Sequence, residues 1–115
     1  MASIADLVHQ TSTTTGTGDF TLSSVNGKQS FASAFSTGGS SVFWYFISNQ
    51  GAAEWEIGTG HMSDSTTLVR DAVIASTNSN AAVSFSAGTK DVTNDIPAAS
   101  QATVGKAAAL AIVFG

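Results

Sequence analysis

Val42-Phe43-Trp44-Tyr45-Phe46-Ile47 is β-branched or aromatic at every position, and beyond the turn residues Asn49-Gln50-Gly51 the chain continues as Glu54-Trp55-Glu56-Ile57. The first run has the composition of a strand covered on both faces, because branched and aromatic side chains pack well on a pleated surface. The second run alternates strictly between acidic and apolar residues, the period of a half-buried strand. The expected phase puts Trp55 and Ile57 inward and Glu54 and Glu56 on the solvent face. Trp55, together with Phe43 or Trp44, is therefore expected in the core.

Turn residues punctuate the chain on both sides of this pair. Downstream, Gly58-Thr59-Gly60 predicts a bend or bulge before His61 and Met62. Asp64-Ser65 then turns the chain into Thr67–Ala75, where Leu68, Ala72 and Ile74 share a face with Arg70. After the turn Asn78-Ser79-Asn80 come a strand over Ala82–Phe85, a turn at Ala87-Gly88 and a short strand at Lys90-Asp91-Val92; Pro97 ends the β region. Upstream, Ser30–Phe35 reads as one helical turn with Phe31 and Phe35 at i and i+4, stopped by Gly38-Gly39. Asn26-Gly27 carries a type I′ signal. Asp19-Phe20-Thr21-Leu22 is a short strand with Phe20 and Leu22 on one face. The fold class predicted is all-β, a small β-sandwich or barrel of about seven short strands with at most one short helical turn. Residues 1–97 form the β-domain and 98–115 a C-terminal extension.

Composition agrees with this. The 115 residues suit one domain, with no cysteine, 10% charged residues and a formal net charge of −4. Without cysteine there is no disulfide framework, thiolate zinc site or cysteine nucleophile. Four basic residues cannot coat a phosphate backbone, so nucleic acid is excluded as a partner. The 31 serines and threonines supply the polar surface in place of charge. The longest apolar stretches, Val42 to Ile47 and Ala107 to Phe114, fall far short of the ~20 residues of a membrane-spanning helix. The N-terminus has no basic region ahead of an apolar core, so no secretory signal is expected. The chain reads as a soluble protein that stays in the cell that makes it until it is released.

Each chemical motif has a plainer account. Gly16-Thr17-Gly18 lacks the third glycine and the Gly-Lys-Ser/Thr of phosphate loops, and reads as a loop entering a strand. Glu54 and Glu56 lie roughly 7 Å apart on one strand face, a separation used by glycosidases, but the alternation already explains them as solvent-facing. His9 and His61 have no second ligand at metal-site spacing, and His61 pairs more simply with Asp64. No Gly-x-Ser-x-Gly elbow occurs. No catalytic residue, cofactor or metal is therefore expected. Trp44 and Trp55 are the candidate glycan-binding pair, since aromatic faces stack on sugars; core packing is the competing account. Arg70 on an apolar face calls for a carboxylate partner or an interface.

The order of motifs carries a resemblance. Thr13-Thr14-Thr15-Gly16-Thr17-Gly18-x-Phe20-Thr21-Leu22 is followed by Gln29-Ser30-Phe31, by Val42 to Ile47 and by Trp55-Glu56-x-Gly58-x-Gly60. Thr66-Thr67-Leu68-x-Arg70 and Phe85-Ser86-Ala87-Gly88-Thr89-Lys90-Asp91-Val92 follow. This series, over about Gln10 to Pro97, resembles a small β-domain of tailed-bacteriophage virion proteins, found alone or within tail, fibre and minor structural proteins. The resemblance implies a non-enzymatic virion structural protein, assembled in the host cytoplasm, and assigns no catalytic or ligand residue. Among such roles a capsid decoration (cement) protein fits a one-domain chain best. A tail or fibre component, or a carbohydrate- or receptor-binding module for host attachment, is the alternative.

The extension lies outside the resemblance. Leu110, Ile112, Val113 and Phe114 make an apolar end segment in a chain with little charge. Alanine content favours a helix there, but Val113-Phe114-Gly115 ends a helix poorly, and a strand is the preferred reading. Such a segment aggregates unless it is paired or covered. The approach from Ala98 to Gly105, about eight residues, spans up to ~26 Å. The expectation is a homo-oligomer, a trimer, with Leu110, Ile112, Val113 and Phe114 at the subunit contact. The other expected partners are virion proteins such as a major capsid or tail protein.

Overall fold

In the computed structural model, residues 2–39 and 41–97 are described. In chain order they form β1 (His9–Ser12), β2 (Phe20–Thr21), β3 (Ser23–Ser24), α1 (Phe31–Phe35), β4 (Phe43–Asn49), β5 (Trp55–Met62), β6 (Thr67–Ser76) and β7 (Lys90–Thr93). The strands make one antiparallel sheet in the order β2-β6-β5-β4-β7-β1-β3. Its edge strands β2 and β3 are consecutive in the chain, separated only by Leu22. Leu22 is buried, and its N–H donates to Thr66 O at 2.7 Å. The chain thus steps from one edge of the sheet straight to the other, and the sheet curls into a nearly closed barrel.

The interior is aromatic. Phe31, Phe35 and Phe43 pack against one another: Phe35 stacks on Phe43 with centroids 4.8 Å apart, and Phe31 lies tilted 4.9 Å from Phe43. Their i, i+4 spacing on α1 points both helical rings at the barrel. Ser30 caps this turn by accepting the Ser33 N–H at 3.1 Å. Phe20 meets Phe85 edge-on at 5.4 Å. Tyr45 lies directly across from Gly58 in the β4–β5 ladder. A Cβ on Gly58 would sit 2.6 Å from the Tyr45 hydroxyl and 2.2 Å from Ala72 O, so glycine is what lets the ring lie against the strand.

The all-β class and the number of strands agree with expectation, but the strands are not the same seven. The alternation over 82–85 buries Val83 and Phe85 as a strand would. Its backbone, however, bonds to Gly16 and to a side-chain carboxylate instead of a neighbouring strand. The strands β1 and β3, polar and short, had no hydrophobic period to reveal them. The bulges expected at Gly58-Thr59-Gly60 occur between Ile57 and Gly58 and between Thr59 and Gly60. They also break the shared face expected for Leu68, Arg70, Ala72 and Ile74: Leu68 is buried while Ala72 is exposed. At Asn26-Gly27 only Gly27 has positive φ, 78°, so that turn is not type I′. Ser79 and Asn80, at 53° and 64°, make the turn with both central residues in the left-handed region. Leu110, Ile112, Val113 and Phe114, and the whole of 98–115, lie outside the described residues.

Candidate functional site

The largest correction concerns β5. Its alternation is real but its phase is the reverse of that expected: Trp55 is 41% exposed, and Glu56 is fully buried. The reason is a partner 14 residues away. Arg70, at the inward position of β6, donates from Nη1 to Glu56 Oε1 at 2.8 Å, with 4% of the Arg70 side chain exposed. The Tyr45 hydroxyl donates to Glu56 Oε2 at 2.6 Å, and Val83 N–H donates to Oε1 at 2.8 Å. The guanidinium also donates to the carbonyls of Gly16, Gly18 and Val83, and lies 4.9 Å from the Phe20 ring centroid. A carboxylate with this many donors is satisfied in the interior. Burial, and next the Glu56 carboxylate, push the Tyr45 phenol well above its ordinary ionisation range.

Glu54 turns to the same side and not to solvent alone. It accepts from Asn49 Nδ2 at 2.9 Å, from Ser86 N–H at 2.9 Å and from Ser86 Oγ at 2.7 Å. These bonds, led by the Ser86 backbone, hold its carboxyl below the usual carboxylate range. Glu54 and Glu56 are thus held by different partners and do not form an open carboxylate pair. His61 pairs with Asp71 at 2.9 Å instead of Asp64, which caps its own turn by accepting from Thr66 and Thr67.

Inverting β5 assembles a surface instead. Trp44, Phe46 and Ser48 on β4 pair with Thr59, Ile57 and Trp55 on β5, so all six face outward. Trp44, Phe46, Ile57 and Trp55 form an apolar stripe across the two strands, in which Trp55 is exposed, Phe46 and Ile57 are half-buried and Trp44 is buried; exposed Val42 continues it. On one flank His61 pairs with Asp71; on the other His9 pairs with Asp91 at 3.0 Å. Trp44 and Trp55 therefore share a face, as a glycan platform requires. Four residues separate them along the strands, about 13 Å at ~3.3 Å per residue. Only Trp55 is open, since Trp44 is 7% exposed. The pair cannot stack on one sugar ring.

The sequence pointed to a carboxylate partner or an interface for Arg70, but not to Glu56 as that partner: pairing the two requires the β5 phase that turns Glu56 inward. Among the described residues no cluster of three metal-ligating side chains occurs. Comparison with protein-family models, curated proteins and solved structures finds no match for this chain.

Proposed function

We propose that this chain is a non-enzymatic structural protein of a tailed-bacteriophage virion, a capsid decoration protein that docks through the outer face of β4 and β5. The observation that carries the reading is the stripe Trp44, Phe46, Ile57 and Trp55, bordered by two His–Asp pairs. An apolar centre with one open tryptophan and a polar rim is the usual anatomy of a protein-docking patch. The motif order from Gln10 to Pro97 supports a virion setting. In this reading copies also associate with one another, as a trimer through Leu110, Ile112, Val113 and Phe114.

The test is co-sedimentation of the purified chain with tailed-phage capsids that lack it, beside host-envelope polysaccharide. Saturable capsid binding, weakened by Trp55→Ala by about 2 kcal/mol or roughly 30-fold in Kd, is the expected result. Binding to polysaccharide without capsid binding establishes the carbohydrate-binding alternative instead.

A further inference from the structure

Lys90 is the first residue of β7, and its side chain is fully buried. Among the described residues, no acceptor lies within hydrogen-bonding distance of its Nζ. A buried ammonium with three unused donors is costly, and proteins rarely keep one without a role. The polar side chains beside it are committed elsewhere. Ser12, its partner on β1, accepts from Thr14 N–H at 3.1 Å. Asn49, its partner on β4, is also buried.

Asn49 is held as an electrophile would be. Gly51 N–H donates to its Oδ1 at 3.0 Å, where charge would develop if the amide carbon were attacked. Its Nδ2 donates to Glu54 Oε1 at 2.9 Å, so a carboxylate already rests on the nitrogen that would leave. Glu54 is fixed in turn by two bonds from Ser86. Directly opposed residues of an antiparallel pair have Cβ atoms about 5 Å apart, within reach of a lysine stem.

We propose that Lys90 and Asn49 join in an intramolecular isopeptide bond, formed after folding, with Glu54 as the proton relay. The Nζ of Lys90 attacks Cγ of Asn49. The C–Nδ2 bond breaks, and Glu54 carries a proton from the attacking nitrogen to the leaving one. One amine and one carboxamide become one secondary amide and one ammonia, with no oxidant or other reagent. Burial lowers the pKa of Lys90, against the opposing pull of the Glu54 charge, which favours the neutral nucleophilic amine. The bond removes the charge of the unpartnered nitrogen and leaves it one N–H in place of three. It also ties β4 to β7 covalently in a chain without cysteine, restricting the unfolded state as a disulfide would.

The experiment is tryptic peptide mapping of the denatured full chain by mass spectrometry, which cuts after Lys28, Arg70, Lys90 and Lys106. The expected species joins peptides 29–70 and 71–106, lighter than their sum by one ammonia and uncut at Lys90. Loss of ammonia at Asn26-Gly27 would leave these peptides separate, so the two are distinguished. Glu54→Gln, checked as folded by near-ultraviolet circular dichroism, is expected to yield unlinked peptides, and Lys90→Met to lower the Tm. Cleavage at Lys90 with a free 29–70 peptide in the wild-type protein overturns the proposal. Full linkage in Glu54→Gln overturns the relay.

Discussion

Among the described residues, two basic side chains lie inside this barrel, in opposite surroundings. Arg70 meets the Glu56 carboxylate, three backbone carbonyls and the faces of Phe20 and Phe85. Lys90 is buried as deeply, and its nitrogen meets no acceptor among the described residues. The rigid fork of a guanidinium can be satisfied in several directions at once, which makes it the usual choice for a permanent buried ion pair. An ammonium is a compact charge whose pKa responds to burial, which makes it the usual choice for chemistry. The Arg70 end of the interior is built to hold charge; the Lys90 end is built around an amine beside an amide.

The largest effect expected from breaking this contrast is at the satisfied end. Arg70→Ala leaves Glu56 buried without its countercharge and should cost about 3–5 kcal/mol in urea unfolding. Replacing Arg70 and Glu56 together by apolar residues of similar size should recover most of that loss. A single substitution costing under ~1 kcal/mol would show that the pair does not hold β5 in its inverted phase.

A second expectation sharpens the same end. The chain has one tyrosine, so its titration is unambiguous. The phenol of Tyr45 is raised above the ordinary value of 10.0 by burial and by Glu56. A raised folded value means its contribution to stability is complete below that ordinary value and declines as pH rises above it. Phenolate absorbance should therefore appear only together with loss of near-ultraviolet circular dichroism. Phenolate in a still-folded protein near pH 10 would contradict the Tyr45–Glu56 bond.

The smallest effect lies on the outside. Were Trp55 in the core, Trp55→Ala would cost ~3–5 kcal/mol; at 41% exposure the expected loss is about 1 kcal/mol, smaller than the loss of capsid binding expected under the proposed docking role. A large stability loss would mean that β5 has the phase first read from its sequence.

What the sequence by itself determined is a set of elements in which hydrophobic period and turn chemistry agree. The β-branched run over 42–47, the acidic–apolar alternation of 54–57, the glycine bulges and the Phe31/Phe35 turn each form where local period and turn chemistry place them. For β5, tertiary structure alone decided which side of the alternation faces in. Period two is unchanged when a strand is turned over, so hydrophobicity chose Trp55 as the inward residue of β5. The partners that reverse that choice, Arg70 on the next strand and Tyr45 on the previous one, act only once the sheet has formed. The same holds for β1 and β3, polar segments with no period of their own. They become strands because β7 and the turn through Leu22 present unpaired backbone to them. Likewise Lys90, Asn49 and Glu54 are unremarkable apart in the sequence, and only the antiparallel register of β4 and β7 makes amine and amide neighbours. Backbone hydrogen bonding and the pairing of buried charge are long-range demands, and here they overrode the local preference for which residue to bury.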